Sequence, residues 1–326
     1  MKQSRMKIWA IVALVCCVCV SVVALSACEG EPDPQNITMV APDGAPALAM
    51  AQLVKNATVG GKTVQCSVYP ADQIGARAMQ SDLAILPSNL AAKIASQNKD
   101  YCVLGIVTSG NLYMVGTDNA VQSLQDLDGQ SVVSIGQGSV PDLIFRTLLQ
   151  EQGLTDRVQV SYVMQGSEAI AQLAKAKQEG KRLYAILGEP AVTMAMQKGF
   201  ARVLDLQTLW QAHTQSDQVG YAQAVLMARK SLCADREWVA ALQAVMANNA
   251  TYMLENTQEA LQNLHNLYPQ TTLPTQMQAD TIRRCNLNYL SMPDNRDMLE
   301  KTLQAIYALA PQAIGGAMPS DDFYLA

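Results

Sequence analysis

Ser131-Val132-Val133-Ser134-Ile135, then Gly136-Gln137-Gly138-Ser139-Val140-Pro141-Asp142, then Leu143-Ile144-Phe145-Arg146-Thr147-Leu148-Leu149, is the stretch that decides the fold. A short, continuous β-branched run reads as a buried strand of a parallel sheet. The glycines break it, and a serine followed by proline and aspartate opens an apolar helical run. The same strand–turn–helix order recurs on both sides. Toward the N-terminus, residues 37–41, 63–69, 82–86, 101–108 and 112–117 read as strands. Helices follow Pro42-Asp43-Gly44 (residues 45–53), Pro70 and Pro87-Ser88-Asn89. Toward the C-terminus, residues 158–164, 183–187, 201–206 and 221–228 read as strands, and the remainder is mainly helical, at 235–255 and 295–308. Strands alternating with helices define an α/β fold. Two such series, joined by more than one crossing of the chain, predict two lobes with a cleft between them.

The N-terminus predicts export. Lys2, Arg5 and Lys7 precede an apolar run over residues 8–24, which ends in Leu25-Ser26-Ala27-Cys28. That is the order of a secretory signal, and a small pair directly before cysteine resembles the lipobox of bacterial lipoproteins. The resemblance implies a signal peptide over residues 1–27, lipidation of Cys28, and a polar tether over residues 28–35. It implies attachment by lipid to the outer face of the cell membrane. Of 23 basic and 28 acidic side chains, three basic ones leave with the leader, so 20 against 28 remain, a net charge of −8. Nucleic acid needs a basic face, so it is excluded as a partner. Aromatic residues are only 5% of the chain, too few for stacking platforms to dominate recognition.

Besides Cys28 the mature chain carries Cys66, Cys102, Cys233 and Cys285, in no CxxC spacing. Four thiols allow three pairings, or none. Sequence order favours Cys66 with Cys102 and Cys233 with Cys285, because each pair falls in one half of the chain.

Residues 124–132, 136–142 and 148–154 together resemble the second-lobe core of transporter substrate-binding proteins of the nitrate/sulfonate/taurine and thiamine-precursor type. Gly188-Glu189-Pro190-Ala191 is similar to that family's strand-to-helix segment, and residues 221–230 to its return strand. Residues 314–324 resemble a tail found in such lipoproteins. The resemblance implies the two-lobed type II periplasmic-binding fold, each lobe a mixed or parallel sheet flanked by helices. Residues 36–112 with 220–326 would form the first lobe and 113–219 the second, with hinges near 111–117 and 217–220. It also implies a monomeric receptor for a small polar organic solute, serving an ABC transporter permease, with no cofactor and no catalysis.

In open α/β sheets ligands sit beyond the carboxyl ends of strands, where helix N-termini favour anions. The candidate loops are Asp43-Gly44-Ala45, Ser88-Asn89, Ser109-Gly110-Asn111, Gln137-Gly138-Ser139, Gln165-Gly166-Ser167 and Gly188-Glu189. Singly, each serine is better explained as an N-cap and each glycine as a turn residue; their placement at one end of the strands is what unites them. Asp43 and Glu189 would repel an anion or bind an amine. Arg77 and Arg146 fall within helices, so no arginine clamp is evident. The rival classes are an enzyme on the same fold, of the menaquinone-precursor or pyrimidine-synthesis type, and a signalling lipoprotein. His213 and His265 lie outside the candidate loops, no carboxylate pair has acid–base spacing, and no metal motif occurs.

Overall fold

The computed structural model describes residues 35–292 and 294–325. The leader, Cys28 and the tether up to Pro34 lie outside them. Following the chain, strands β1 (Asn36–Pro42), β2 (Thr58–Val59), β3 (Lys62–Tyr69), β4 (Leu83–Pro87) and β5 (Tyr101–Thr108) come first. Then come β6 (Leu112–Gly116), β7 (Ser131–Ile135), β8 (Gln159–Val163), β9 (Tyr184–Gly188) and β10 (Ala201–Asp205). Last are β11 (Ala224–Arg229) and β12 (Leu287–Ser291). A seven-stranded sheet takes the order β12-β5-β11-β4-β1-β3-β2, and a five-stranded sheet the order β10-β6-β9-β7-β8. The second sheet is thus built wholly from chain inserted between β5 and β11.

Direction follows from register. β1 runs parallel to β4, with Met39 opposite Leu83, and β11 lies antiparallel between β4 and β5. In the second sheet β7 runs parallel to both β8 and β9, while β6 is antiparallel to β9 and β10. Every candidate loop named above therefore follows the carboxyl end of a strand, and within each sheet those ends point the same way.

The central strands are apolar throughout because helices cover both faces of each sheet. On one face of the larger sheet Ile85, Leu104 and Leu226 pack against Leu242 and Met246 of helix Arg236–Glu255. On the other, Leu86, Ile106 and Val225 pack with Leu299 and Leu303 of helix Arg296–Leu309. Leu226 is completely buried between two neighbouring strands. Leu226→Ala is expected to cost about 2–5 kcal/mol, the usual range for truncating a core leucine; a denaturant titration giving less than ~1 kcal/mol would contradict this packing.

Two differences from the sequence reading have local causes. The helix expected over residues 45–53 is two short helices, Ala45–Leu48 and Ala51–Lys55. Buried Asn249 holds the break: its Nδ2 donates to the Leu48 carbonyl at 2.9 Å and its Oδ1 accepts from the Gln52 amide at 2.9 Å. Strand β12 was not anticipated. It adds to the edge of β5, with Leu287 opposite Thr108 across an irregular register. The tail packs beside it, where the Leu325 amide donates to the Val103 carbonyl and the Arg296 guanidinium covers the Tyr324 ring at 4.2 Å.

Candidate functional site

The lobes are joined where residues 109–112 and 221–223 cross side by side. Gln223 bridges the crossing: its Oε1 accepts from the Asn111 amide at 2.9 Å and its Nε2 donates to Asn111 Oδ1 at 2.7 Å. Gln207 Oε1 accepts from the Leu112 amide at 2.8 Å and from the buried Tyr221 hydroxyl at 3.2 Å. Burial pushes that phenol well above its ordinary pKa, so it stays a neutral donor. Ser109 and Asn111, expected at a ligand, are buried parts of this joint; Asn288 donates to the Ser109 hydroxyl at 2.5 Å.

Two of the polar points at which the lobes touch involve the candidate residues. Asn89 Nδ2, in the first turn of helix Ser88–Gln97, donates to the Gly138 carbonyl of the second lobe at 3.3 Å. Ser88 Oγ and Asn89 Oδ1 are buried and have no hydrogen-bond partner. The second point is ionic. Glu189 Oε1 accepts from Arg284 Nε at 2.6 Å and from Thr193 Oγ1 at 3.0 Å, while its Oε2 accepts from the Thr193 amide at 3.0 Å. Arg284 also donates to Thr193 Oγ1 at 2.8 Å, and the Thr193 and Thr281 hydroxyls meet at 3.1 Å. Arg284 ends helix Ala279–Arg284 of the first lobe, so this cluster spans both lobes. Apolar packing joins them too, since Leu143 of helix Val140–Glu151 lies in the core beneath β4, β5 and β11.

The remaining candidates scatter. Asp43 accepts from the Thr272 amide and hydroxyl, both at 2.7 Å, and from Thr271, which ties the β1 turn to the 271–272 loop. Gly44 and Ala45 start the short helix behind it. Ser139 Oγ donates to the Ile135 carbonyl at 2.7 Å, and the Gly138 amide is taken by Asp142 Oδ2 at 2.7 Å, so these two groups are engaged within the turn. Gln137 is exposed and lines an outer cavity with Arg146 and Tyr162. Gln165 and Ser167 are exposed at the start of helix Gly166–Gln178, and Gly166 packs behind against Ala191. Of the predicted set, the structure brings together Ser88, Asn89 and Gly138, and separately Asn111 with Glu189, to which the unpredicted Arg284 adds its guanidinium. Arg284, Thr281, Gln207 and Gln223 carried no sequence signal, because the partners that give them their place here lie about 90 or more residues away, and Thr193, four residues from Glu189, reads only as a helix residue.

The expected cysteine pairing is corrected. All four described cysteines are free thiols, and the sulfur beside Cys102 is that of Cys233, 3.3 Å away, across the two halves of the chain. Strand order brings β11 next to β5, which sequence order alone does not show.

The two sheets, the double crossing and the cleft define a two-lobed α/β binding fold. No protein-family model matches the sequence, and no curated protein matches it. Solved structures do match. A crystal structure of an ABC transporter protein from Parabacteroides distasonis superposes with a TM-score of 0.72 at 23% identity, over 89% of this chain and 98% of that one. The periplasmic aliphatic sulphonate-binding protein SsuA from Escherichia coli gives 0.63 at 16% identity, over 88% of this chain and 94% of that one. DszB in complex with biphenyl-2-sulfinic acid gives 0.57 at 13% identity, over 89% and 96%. The chain has the type II periplasmic-binding fold that these proteins share.

Proposed function

We propose that the chain is a solute-binding protein that works outside the cytoplasmic membrane. On this reading its lobes close on a small polar organic solute, of sulfonate, nitrate or pyrimidine-like class, and the closed form engages an ABC permease. A lipid on Cys28 would keep it at the membrane as a monomer. The observation that carries the reading is the pair of buried, unpartnered atoms Ser88 Oγ and Asn89 Oδ1, at a helix start that faces Gly138 of the other lobe.

A buried polar atom without a partner costs about 1–3 kcal/mol, so a solute that supplies the missing partners gains that much on binding. The serine hydroxyl can donate to a sulfonate or nitrate oxygen, and the helix N-terminus favours such an anion. Asn89 Oδ1 accepts only, so it suits a hydroxyl, amine or ring N–H on the organic part. Because Asn89 bonds Gly138 directly, entry requires the lobes to part and the solute to replace that bond. Lobe closure around a ligand is a familiar hinge motion.

The first test is a thermal-shift screen of alkanesulfonates, nitrate, pyrimidines and amines. A true ligand at one hundred times its Kd stabilises by about 2.7 kcal/mol, a rise of about 4–5 °C for a chain of this size. No rise with any of them, together with turnover of a sulfinate or ester substrate, would move the fold to the enzyme class that the likeness to DszB represents.

A further inference from the structure

Cys102 lies at the start of β5, and Cys233 sits in the 3-10 turn Leu232–Ala234 that follows β11. β11 runs antiparallel to β5 with Ala228 opposite Cys102, so the chain leaving β11 folds back over the start of β5. The two sulfurs come within 3.3 Å, and Cys233 Sγ also faces the Arg229 carbonyl at 3.7 Å. Cys102 is buried, 3% exposed, whereas Cys233 is half-buried and reachable from solvent. The other two described thiols have no sulfur neighbour, and burial pushes Cys66 up to about 12 and Cys285 higher still. The hydrogen bond from Cys102 holds Cys233 below the ordinary thiol range, with the Lys230 ammonium adding to it. Cys233 is the more exposed of the two, so a disulfide arriving from solvent meets it first, as the nucleophile, with Cys102 as the resolving thiol.

We propose that Cys102 and Cys233 form an oxidisable thiol pair that takes up a disulfide from a low-molecular-weight or protein disulfide and closes into an intramolecular bridge. The Cys233 thiolate attacks one sulfur of the donor disulfide, forming a mixed disulfide and expelling the first donor thiolate. Cys102 then loses its proton and attacks Cys233 Sγ, expelling the second donor thiolate. The donor gains two electrons and the two protons of the pair; the protein loses two hydrogens.

The bridge has a topological consequence. The loop between positions 102 and 233 contains β6 to β10, the whole five-stranded sheet. Closing it joins the two first-lobe strands that flank the insertion, at their ends away from the crossing, and removes freedom from the unfolded chain, more so because the loop is long. The pair lies at the start of β5, whereas the crossing follows its end, so the bridge leaves lobe closure free.

The test treats the full chain with oxidised glutathione and maps tryptic peptides by mass. The expected product is a cross-link joining the Cys102 and Cys233 peptides, two hydrogens lighter than the reduced pair, with the melting temperature raised by about 5–10 °C. Cys66→Ser keeps the cross-link; Cys102→Ser and Cys233→Ser lose it, and Cys102→Ser accumulates the mixed disulfide at Cys233. Unreacted thiols, a wild-type product that stays glutathionylated at Cys233, or a bridge to Cys66 or Cys285 would overturn the proposal.

Discussion

Gly220→Ala is expected to lower the melting temperature by about 6–12 °C, because the added methyl has no room. Gly220 has φ of +94°, and a Cβ there would lie 2.0 Å from the Ser109 carbonyl oxygen and 3.1 Å from its carbon. Both obstacles are backbone, at the place where the two connections between the lobes run side by side, so neither can rotate away. The alanine must shift one strand of the joint, disturbing the Gln223 and Asn111 bonds that hold it. Positive φ alone costs an alanine about 1–2 kcal/mol. Gly180, with φ of +66° and nothing within 4 Å of a built Cβ, isolates that part. Thermal melts should separate the two, with Gly180→Ala losing only about 2–5 °C. Equal losses would mean that close approach at the joint contributes nothing.

The second large effect is expected at Arg284. The Glu189 side chain is completely buried, whereas that of Arg284 is 25% exposed. Arg284→Ala leaves the carboxylate with only the Thr193 donors, in a site from which water is largely excluded. Breaking a buried pair from one side costs about 3–5 kcal/mol. The exposure of Arg284 reduces this to about 2–4 kcal/mol, because water already screens part of the pair. Since the pair spans the lobes, part of that loss should appear as opening. X-ray scattering of the solute-free variant should show a larger radius of gyration than wild type. Glu189→Leu combined with Arg284→Met should recover most of the stability, because replacing both partners removes the unpaired charge. An unchanged melt and unchanged scattering for Arg284→Ala would show that the cluster does not hold the lobes together.

The strands were legible because both faces of each sheet are covered. Residues 101–108 are almost wholly apolar without alternation, residues 131–135 centre on a buried Val132-Val133 pair, and turn residues mark their ends. The placement of candidate loops at strand carboxyl ends was legible for the same reason, since it follows from strand direction alone. What lies across the cleft was not. Asp43 and Glu189 both read as acids facing a ligand, yet one ties a loop within the first lobe and the other pairs with Arg284. Neither partner sits near its acid in sequence, and no periodicity marks them. β12 escaped for a related reason: Asn288 and Ser291 interrupt a five-residue run whose only support is pairing with distant β5. Asn249, which splits the first helical stretch, acts from a helix about 200 residues further on. Ser88 could be read as a cap from the sequence, but its side chain makes no cap bond, and that difference is what points to a ligand.

The central claim is that a solute is held where Ser88 and Asn89 meet the second lobe. Calorimetric titration of wild type, Ser88→Ala and Asn89→Ala with the alkanesulfonate, nitrate or pyrimidine that gives the largest thermal shift tests it most directly. The account predicts saturable one-to-one binding by wild type and at least a tenfold loss of affinity in each variant, since each lost hydrogen bond is worth about 1.5 kcal/mol or more. The solute-free melting temperature of Ser88→Ala should stay within about 2 °C of wild type, because removing an unpartnered polar atom does not weaken the fold, whereas Asn89→Ala also gives up its bond to Gly138 and should lose a little more. Undiminished affinity in both variants, or a loss of stability matching the loss of binding, would contradict it.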